Sequence, residues 1–375
     1  MKSKLRTNNP VIIAVTVIIL VMGFSKVSLP AASDPEEDMM EITAIDLGAE
    51  NTGEAAMITD GRGKALLIDS GDRNTREIFR WLDENGYKEK EFDTLVSHWH
   101  DDHAGNTAEI IENYNVGTVY IPPIDYLYET NEEWSEMSYY ERLRPYAEGV
   151  LEAAKEKGTR IVYTEEGQEI DVGTIKGEVL YCCGCPTSKN WYDVQYINNQ
   201  SSVIMFTGGG SKYLTCGDLQ NQAEKIVLRS GYQLKADIFK MSHHGYIRSN
   251  MQAFVNAVNP SYSYFTSNKV TETTYAHEDL DENIIRMGAL SNVMSTHYNG
   301  TIVYRCSEGV IEVQAQRNIR QIHQLLLDKE TGETSKVTLL FNDASPIHLT
   351  KKVIGKDKYY NRRIYPNGLP FPADP

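Results

Sequence analysis

Residues 97–106, SHWHDDHAGN, hold three histidines and two aspartates. Imidazole nitrogens and a carboxylate suit zinc, with manganese or iron as alternatives where more oxygen ligands are present. The pattern is H-x-H-x-D-H, formed by His98, His100, Asp102 and His103. At the end of an extended strand, residues i and i+2 point to the same side, so His98 and His100 can share one ion. Asp102 and His103, at a turn into a helix, reach a second ion beside the first. Gly105 is read as the residue that permits a tight backbone turn. Asp101 is read as a solvent-facing spacer. A later stretch, SHHG, adds His243 and His244, so two short stretches hold five of the chain's nine histidines. That clustering favours metal binding over a polar surface loop.

Several elements must deliver these residues. FDTLVSH (92–98) reads as a strand leading into the first stretch, and NTAEIIENY (106–114) as the helix leaving it. Upstream, residues 40–48 and 54–72 read as strands, with DGRG as a hairpin turn. In TREIFRWLDENG, Ile78, Phe79 and Leu82 share one helical face, and Gly86 is a stop. VGTVYIP reads as a strand, and residues 139–158 as a long helix. The second half has the same pattern, with strands over 177–181, 201–207, 211–218, 236–245 and 262–267, and helices over 220–231 and 251–258. A β-rich run followed by βαβ, given twice, predicts two sheets packed face to face with helices outside. That is an α/β, four-layer αββα sandwich.

The motifs resemble the metallo-β-lactamase superfamily, whose signature is H-x-H-x-D-H. The resemblance covers roughly residues 40–313 and implies the same αββα fold. LLIDSGD resembles the loop whose aspartate, here Asp69, buttresses the histidine loop. LTCGDL resembles the motif whose aspartate, here Asp218, bridges two metals, and KMSHHG the motif that completes the second. NNQSSVIMF, ADIFKMSHHG and NPSYSYFTSN are similar to the hydrolase domain of ComEC-type competence channels and to the teichoic acid phosphorylcholine esterase. Where many lactamases carry a third histidine for the first metal, this chain has Asn198, Asn199, Ser201 and Ser202.

The resemblance implies two divalent ions, zinc foremost, with manganese or iron as alternatives. His98 and His100 hold the first ion; Asp102, His103 and His244 hold the second; Asp218 bridges them. His243 is then catalytic or substrate-facing, although strand alternation leaves His243 and His244 interchangeable. Asp102 also counts as catalytic. His277, in TYAHED, either protonates a leaving group or is a surface histidine. The implied activity is phosphodiester hydrolysis by a hydroxide shared by the two metals. Lactam or lactone hydrolysis is the alternative, and a non-catalytic accessory protein is the alternative outside enzymes.

The remaining features bear on location and substrate. Basic MKSKLR and the apolar run at residues 11–24 fit a signal peptide or N-terminal membrane anchor, placing the rest outside the membrane. The expected domains are 1–39 (signal or anchor plus linker), 40–313 (hydrolase) and 314–375 (a small β-rich appendage with a hairpin around KETGET). A net charge of −15 disfavours extracellular nucleic acid as a partner and leaves a small-molecule or polymer phosphodiester. Tyr126, Tyr128, Trp134, Tyr139 and Tyr140 fall near the expected rim. They are read first as packing and second as a site for a quaternary ammonium. Basic residues 351–363 are read as a solvated tail rather than a polymer-binding one. Cys182, Cys183 and Cys185 form CCGC, read as a strand end and loop. His297, His323 and His348 are read as structural.

Overall fold

The computed structural model describes residues 38–48, 53–128, 138–185, 193–246, 248–266, 283, 286–288, 290–317, 324–327, 334–341 and 345–348. The chain divides into residues 1–36 and 37–375, and only the second unit contains described residues. The apolar run at 11–24, His277, Trp134 and the basic tail therefore lie outside the described residues, as do the side chains of Tyr139, Tyr140, His297, His323 and His348. Among the described residues no helix is long and apolar enough to cross a membrane.

Among the described residues, fifteen strands form the two main sheets. The first sheet contains β1 (Met39–Ala44), β2 (Ala56–Thr59), β3 (Ala65–Ile68), β4 (Glu91–Leu95), β5 (Asn115–Ile121), β6 (Arg160–Tyr163), β14 (Ile302–Ser307) and β15 (Val310–Ala315). Its order is β15-β14-β1-β2-β3-β4-β5-β6. The second contains β7 (Glu169–Val172), β8 (Ile175–Tyr181), β9 (Val203–Gly208), β10 (Ser211–Thr215), β11 (Ile238–Lys240), β12 (Tyr262–Phe265) and β13 (Asn292–Ser295), in the order β13-β12-β11-β10-β9-β8-β7. Three further strands, β16 (Gln324–Leu327), β17 (Thr334–Phe341) and β18 (Ser345–His348), make a separate antiparallel sheet.

Strand alternation explains the layering. On β9, Ile204 and Phe206 join a central cluster with Ile42, Ile68, Ile238 and Tyr304, whereas Val203 and Met205 face the other way. The central cluster lies between the sheets. One outer cluster packs the first sheet against helices carrying Ile78, Leu82, Ile110 and Val150; the other packs the second sheet against helices carrying Val227 and Val255. The result is the αββα sandwich. The chain closes it late: β14 returns to pair antiparallel with β1, with Met40 opposite Cys306 and Ile42 opposite Tyr304.

The topology also gathers the loops. β3 runs parallel to β4 in one sheet, and β10, β11, β12 and β13 run parallel in the other. Asp69, residues 97–103, Asp218, His243–His244 and Thr266 all follow the carboxyl ends of these strands, at one edge of the sandwich.

Candidate metal centre

β4 ends at Leu95, and a short helix, Asp101–Ala104, follows the histidines. His98 Nε2 lies 2.9 Å from His100 Nδ1 and 3.9 Å from Asp218 Oδ2. His103 Nε2 is 3.2 Å from Asp218 Oδ1 and 3.9 Å from Asp102 Oδ1. His244 Nε2 is 3.3 Å from Asp102 Oδ2, 3.5 Å from Asp218 Oδ2 and 3.2 Å from His103 Nε2. Two groups of buried donors result, with ligand atoms within 4.8 Å of one another: His98, His100 and Asp218; and Glu54, His103, Asp218 and His244. Asp218 belongs to both, as a bridging carboxylate must.

The far ring nitrogens show that this cluster fits metal. His103 Nδ1 is 2.7 Å from Asp69 Oδ2, and His244 Nδ1 is 2.9 Å from Thr266 Oγ1 and 3.2 Å from the Thr266 carbonyl. Such acceptors hold the proton on Nδ1 and turn the Nε2 lone pair inward, as metal-bound histidines require. Two Nε2 lone pairs facing each other across 3.2 Å need a cation between them, either a proton or a metal ion.

The charges agree. Burial, with His103 and His100 alongside, holds His98 well below its usual value, and burial lowers His100 to about 4. Both are neutral and able to ligate. Burial opposes charge on His103 and His244, yet Asp218 and its neighbouring carboxylates outweigh it; His103 is raised well above its usual value and His244 to about 9. Burial likewise opposes charge on Asp218, but His103, His244 and His243 hold it well below the carboxylate range.

Backbone geometry brings the ligands together. Asp69 is fully buried at a positive φ of 58°, accepting from the Ser97 N–H and hydroxyl at 2.7 Å each. This single carboxylate fixes both ends of the histidine loop. Gly105 corrects the expectation of a tight turn: its φ is −57°, open to any residue. Glycine is needed there because a Cβ would lie 2.4 Å from the Arg73 nitrogen and 2.7 Å from the Gly71 carbonyl oxygen. Asp101 is exposed.

The strand expected through SHHG ends at Lys240. His243 and His244 instead sit in a turn over Ser242–Gly245, both left-handed, at φ 53° and 51°. Strand alternation therefore does not apply to them. His244 turns to Asp102 and His103, whereas His243 turns outward: its Nε2 is 3.3 Å from Asn198 Nδ2, and its Nδ1 is 3.4 Å from Gln220 Nε2. A neutral imidazole has one donor and one acceptor, so one of these amides presents its nitrogen and the other its oxygen. The NNQSS run is spread over four tasks. Asn198 meets His243, Asn199 Oδ1 accepts from the Gln220 N–H, Ser201 Oγ from the Asp218 N–H, and the Ser202 N–H donates to the Ser97 carbonyl.

Some members of the site carry no sequence motif. Glu54 and Lys240, both fully buried, form an ion pair beneath Asp218. Asn250 clasps the Ser242 N–H and carbonyl at 2.9 Å each, and Glu224 in turn accepts from the Asn250 and Met251 N–H groups. Ile238 and Lys240 occupy the same face of β11; that alternation was the available signal for a buried lysine. Elsewhere, Tyr126 is buried, and the exposed Tyr128 ring already has the Arg144 guanidinium 5.0 Å over it. All five cysteines are free; Cys182 lies just past β8, with Thr164 Oγ1 3.2 Å from its sulfur.

Residues 52–189 match the family model described as the metallo-beta-lactamase superfamily. ComE operon protein 3 of Bacillus subtilis is 26% identical over 217 residues, covering 58% of this chain; the match spans 25% of that relative's length. Among solved structures, the metallo-beta-lactamase fold protein YhfI from Bacillus subtilis aligns at a TM-score of 0.42 and 11% identity, over 70% of this chain and 98% of its own. CmlA, a diiron beta-hydroxylase from Streptomyces venezuelae, aligns at 0.41 and 14%, over 70% of this chain and 53% of its own. Residues 52–189, which carry the histidine loop and its buttressing aspartate, thus match a metallo-β-lactamase superfamily domain.

Proposed function

We propose that this protein is a metal-dependent phosphodiesterase held on the outer side of a membrane or secreted. The observation that carries the reading is the shared Asp218, which belongs to both donor groups. Two divalent ions, zinc foremost, would be held by His98, His100 and Asp218 on one side and by Asp102, His103, His244 and Asp218 on the other. When bound, they supply an activated water and polarise a phosphoryl oxygen. The protein's residues do the rest. Asp69 and Thr266 aim the imidazoles, and burial keeps His98 and His100 free of protons. His243, partly exposed at the mouth and backed by Asn198 and Gln220, holds a substrate oxygen or a departing proton. The Asn198, Asn199, Ser201 and Ser202 run in place of a histidine supports a diester over a lactam or lactone substrate.

The test uses the full chain in mild detergent, stripped of metal and reloaded with zinc, manganese or iron. It should cleave bis-p-nitrophenyl phosphate and leave nitrocefin intact. Diesterase activity absent with all three metals, or nitrocefin cleaved in preference, overturns the reading. For location, the basic start and apolar run at 11–24 support export; protease added to intact cells should digest the domain, and full protection would refute export.

A further inference from the structure

Lys240 ends β11 on the face that looks into the space between the sheets, and both it and Glu54 are fully buried. A buried ammonium is costly unless it is paired and fully hydrogen-bonded. Lys240 makes its ion pair with Glu54, which precedes β2 in the opposite sheet. Its ammonium also donates to the Gly217 carbonyl at 2.9 Å and lies 3.7 Å from Asp218 Oδ1. The same Gly217 carbonyl accepts from the His243 N–H at 3.1 Å. One carbonyl therefore joins three things: the loop carrying Asp218, the turn carrying His243 and His244, and the buried ammonium.

Glu54 meets the other half of the site. Its N–H donates to the Asp102 carbonyl at 3.1 Å, and its Oε2 is 3.9 Å from His103 Nδ1. Glu54, Asp69 and Asp218 thus crowd three buried carboxylates together, with the half-buried Asp102 beside them. A fixed cation beneath Asp218 relieves that crowding and leaves the outward side of the carboxylate to metal.

We propose that Lys240 is a positioning residue for the metal site: anchored by Glu54, it holds the Gly217–Asp218 loop so that Asp218 is shared between two ions. The inference rests on the metal-site reading above. A plain inter-sheet ion pair would need only Glu54; the contacts to Gly217 and Asp218 are what it leaves unexplained. Glu54 also falls within a potential donor group, but its Oε2 pairs with Lys240, so its role here is to anchor the lysine.

The experiment compares the wild-type full chain with E54Q, K240M and E54Q/K240M, by cobalt(II) titration followed in the visible spectrum and by thermal melting. K240M alone leaves Glu54 buried and unpaired, so its loss of stability is expected. The double variant removes both charges, a change folds commonly tolerate, and should melt cooperatively. It should bind cobalt about 10–100-fold more weakly than wild type, as loss of a ligand's supporting partner does, with an altered ligand-field spectrum. E54Q, which loosens the anchor but keeps Lys240 on Gly217, should weaken cobalt binding less than the double variant does. A double variant with wild-type affinity and spectrum overturns the proposal. So does E54Q failing as badly as the double variant, which would make Glu54 a ligand, or a double variant that no longer melts cooperatively. Wild type that takes up no metal removes the site reading itself, a result distinct from all of these.

Discussion

At the scale of single residues, the site depends on what stands behind each ligand. Asp69 bonds Ser97 twice and meets His103 Nδ1 at 2.7 Å, so one carboxylate sets both loop shape and ring orientation. Asp69→Asn should weaken metal binding about 10–100-fold, read by competition with a chelating dye; unchanged affinity would show that the backbone alone orients His103. Protonation gives a second prediction. His244 is raised from 6.5 to about 9, against burial, by Asp218 and Asp102. In metal-free protein its charged form contributes stability that is complete below 6.5 and lost as pH rises through about 9. The metal-free melting temperature should fall across that window, and that of the metal-loaded protein should not. Equal slopes for the two forms would contradict the assignment of His244 Nε2 as a ligand.

The legibility of these residues follows from their physics. His98, His100, Asp102 and His103 are adjacent in sequence, so their chemistry is visible as a motif. Asp218 is readable only through resemblance, since it lies 115 positions beyond His103, and resemblance alone favours His244 over His243 as the ligand. Lys240 is hidden because it looks like a polar residue ending an apolar run, and its partner is 186 positions away.

At the scale of elements, turns do the positioning. The donors all follow strand ends or precede strand starts at one edge, so short loops set their distances. Gly217 shows this at a left-handed position: its φ is +49°, and a Cβ would lie 2.8 Å from Ser97 Oγ and 3.0 Å from Ser201 Cβ. Gly217→Ala should cost about 1–3 kcal/mol for the left-handed backbone alone, with the crowding against the histidine loop in addition. Denaturant unfolding would measure it, and a change below half a kcal/mol would contradict the close approach. Strands with clear alternation, such as β9 and β11, were legible. The turn at His243 and His244 was not, because left-handed residues look like any others in a one-dimensional pattern.

At the scale of the whole molecule, two sheets pressed face to face bring the histidine loop of one against the Asp218 and His244 loops of the other. The layered class was legible from the repeated run of strands and helices. The closing pair β1 and β14 was not, since nothing local links Ile42 to Tyr304. The sandwich matters to function because neither sheet carries a complete site. The most direct measurement is therefore metal content per chain, by elemental analysis after loading and desalting, in wild type and in Asp218→Ala. Two ions per wild-type chain, with loss from both positions in the variant, is the predicted result. Wild type holding no stoichiometric metal, or Asp218→Ala retaining two ions, would contradict a shared two-metal centre.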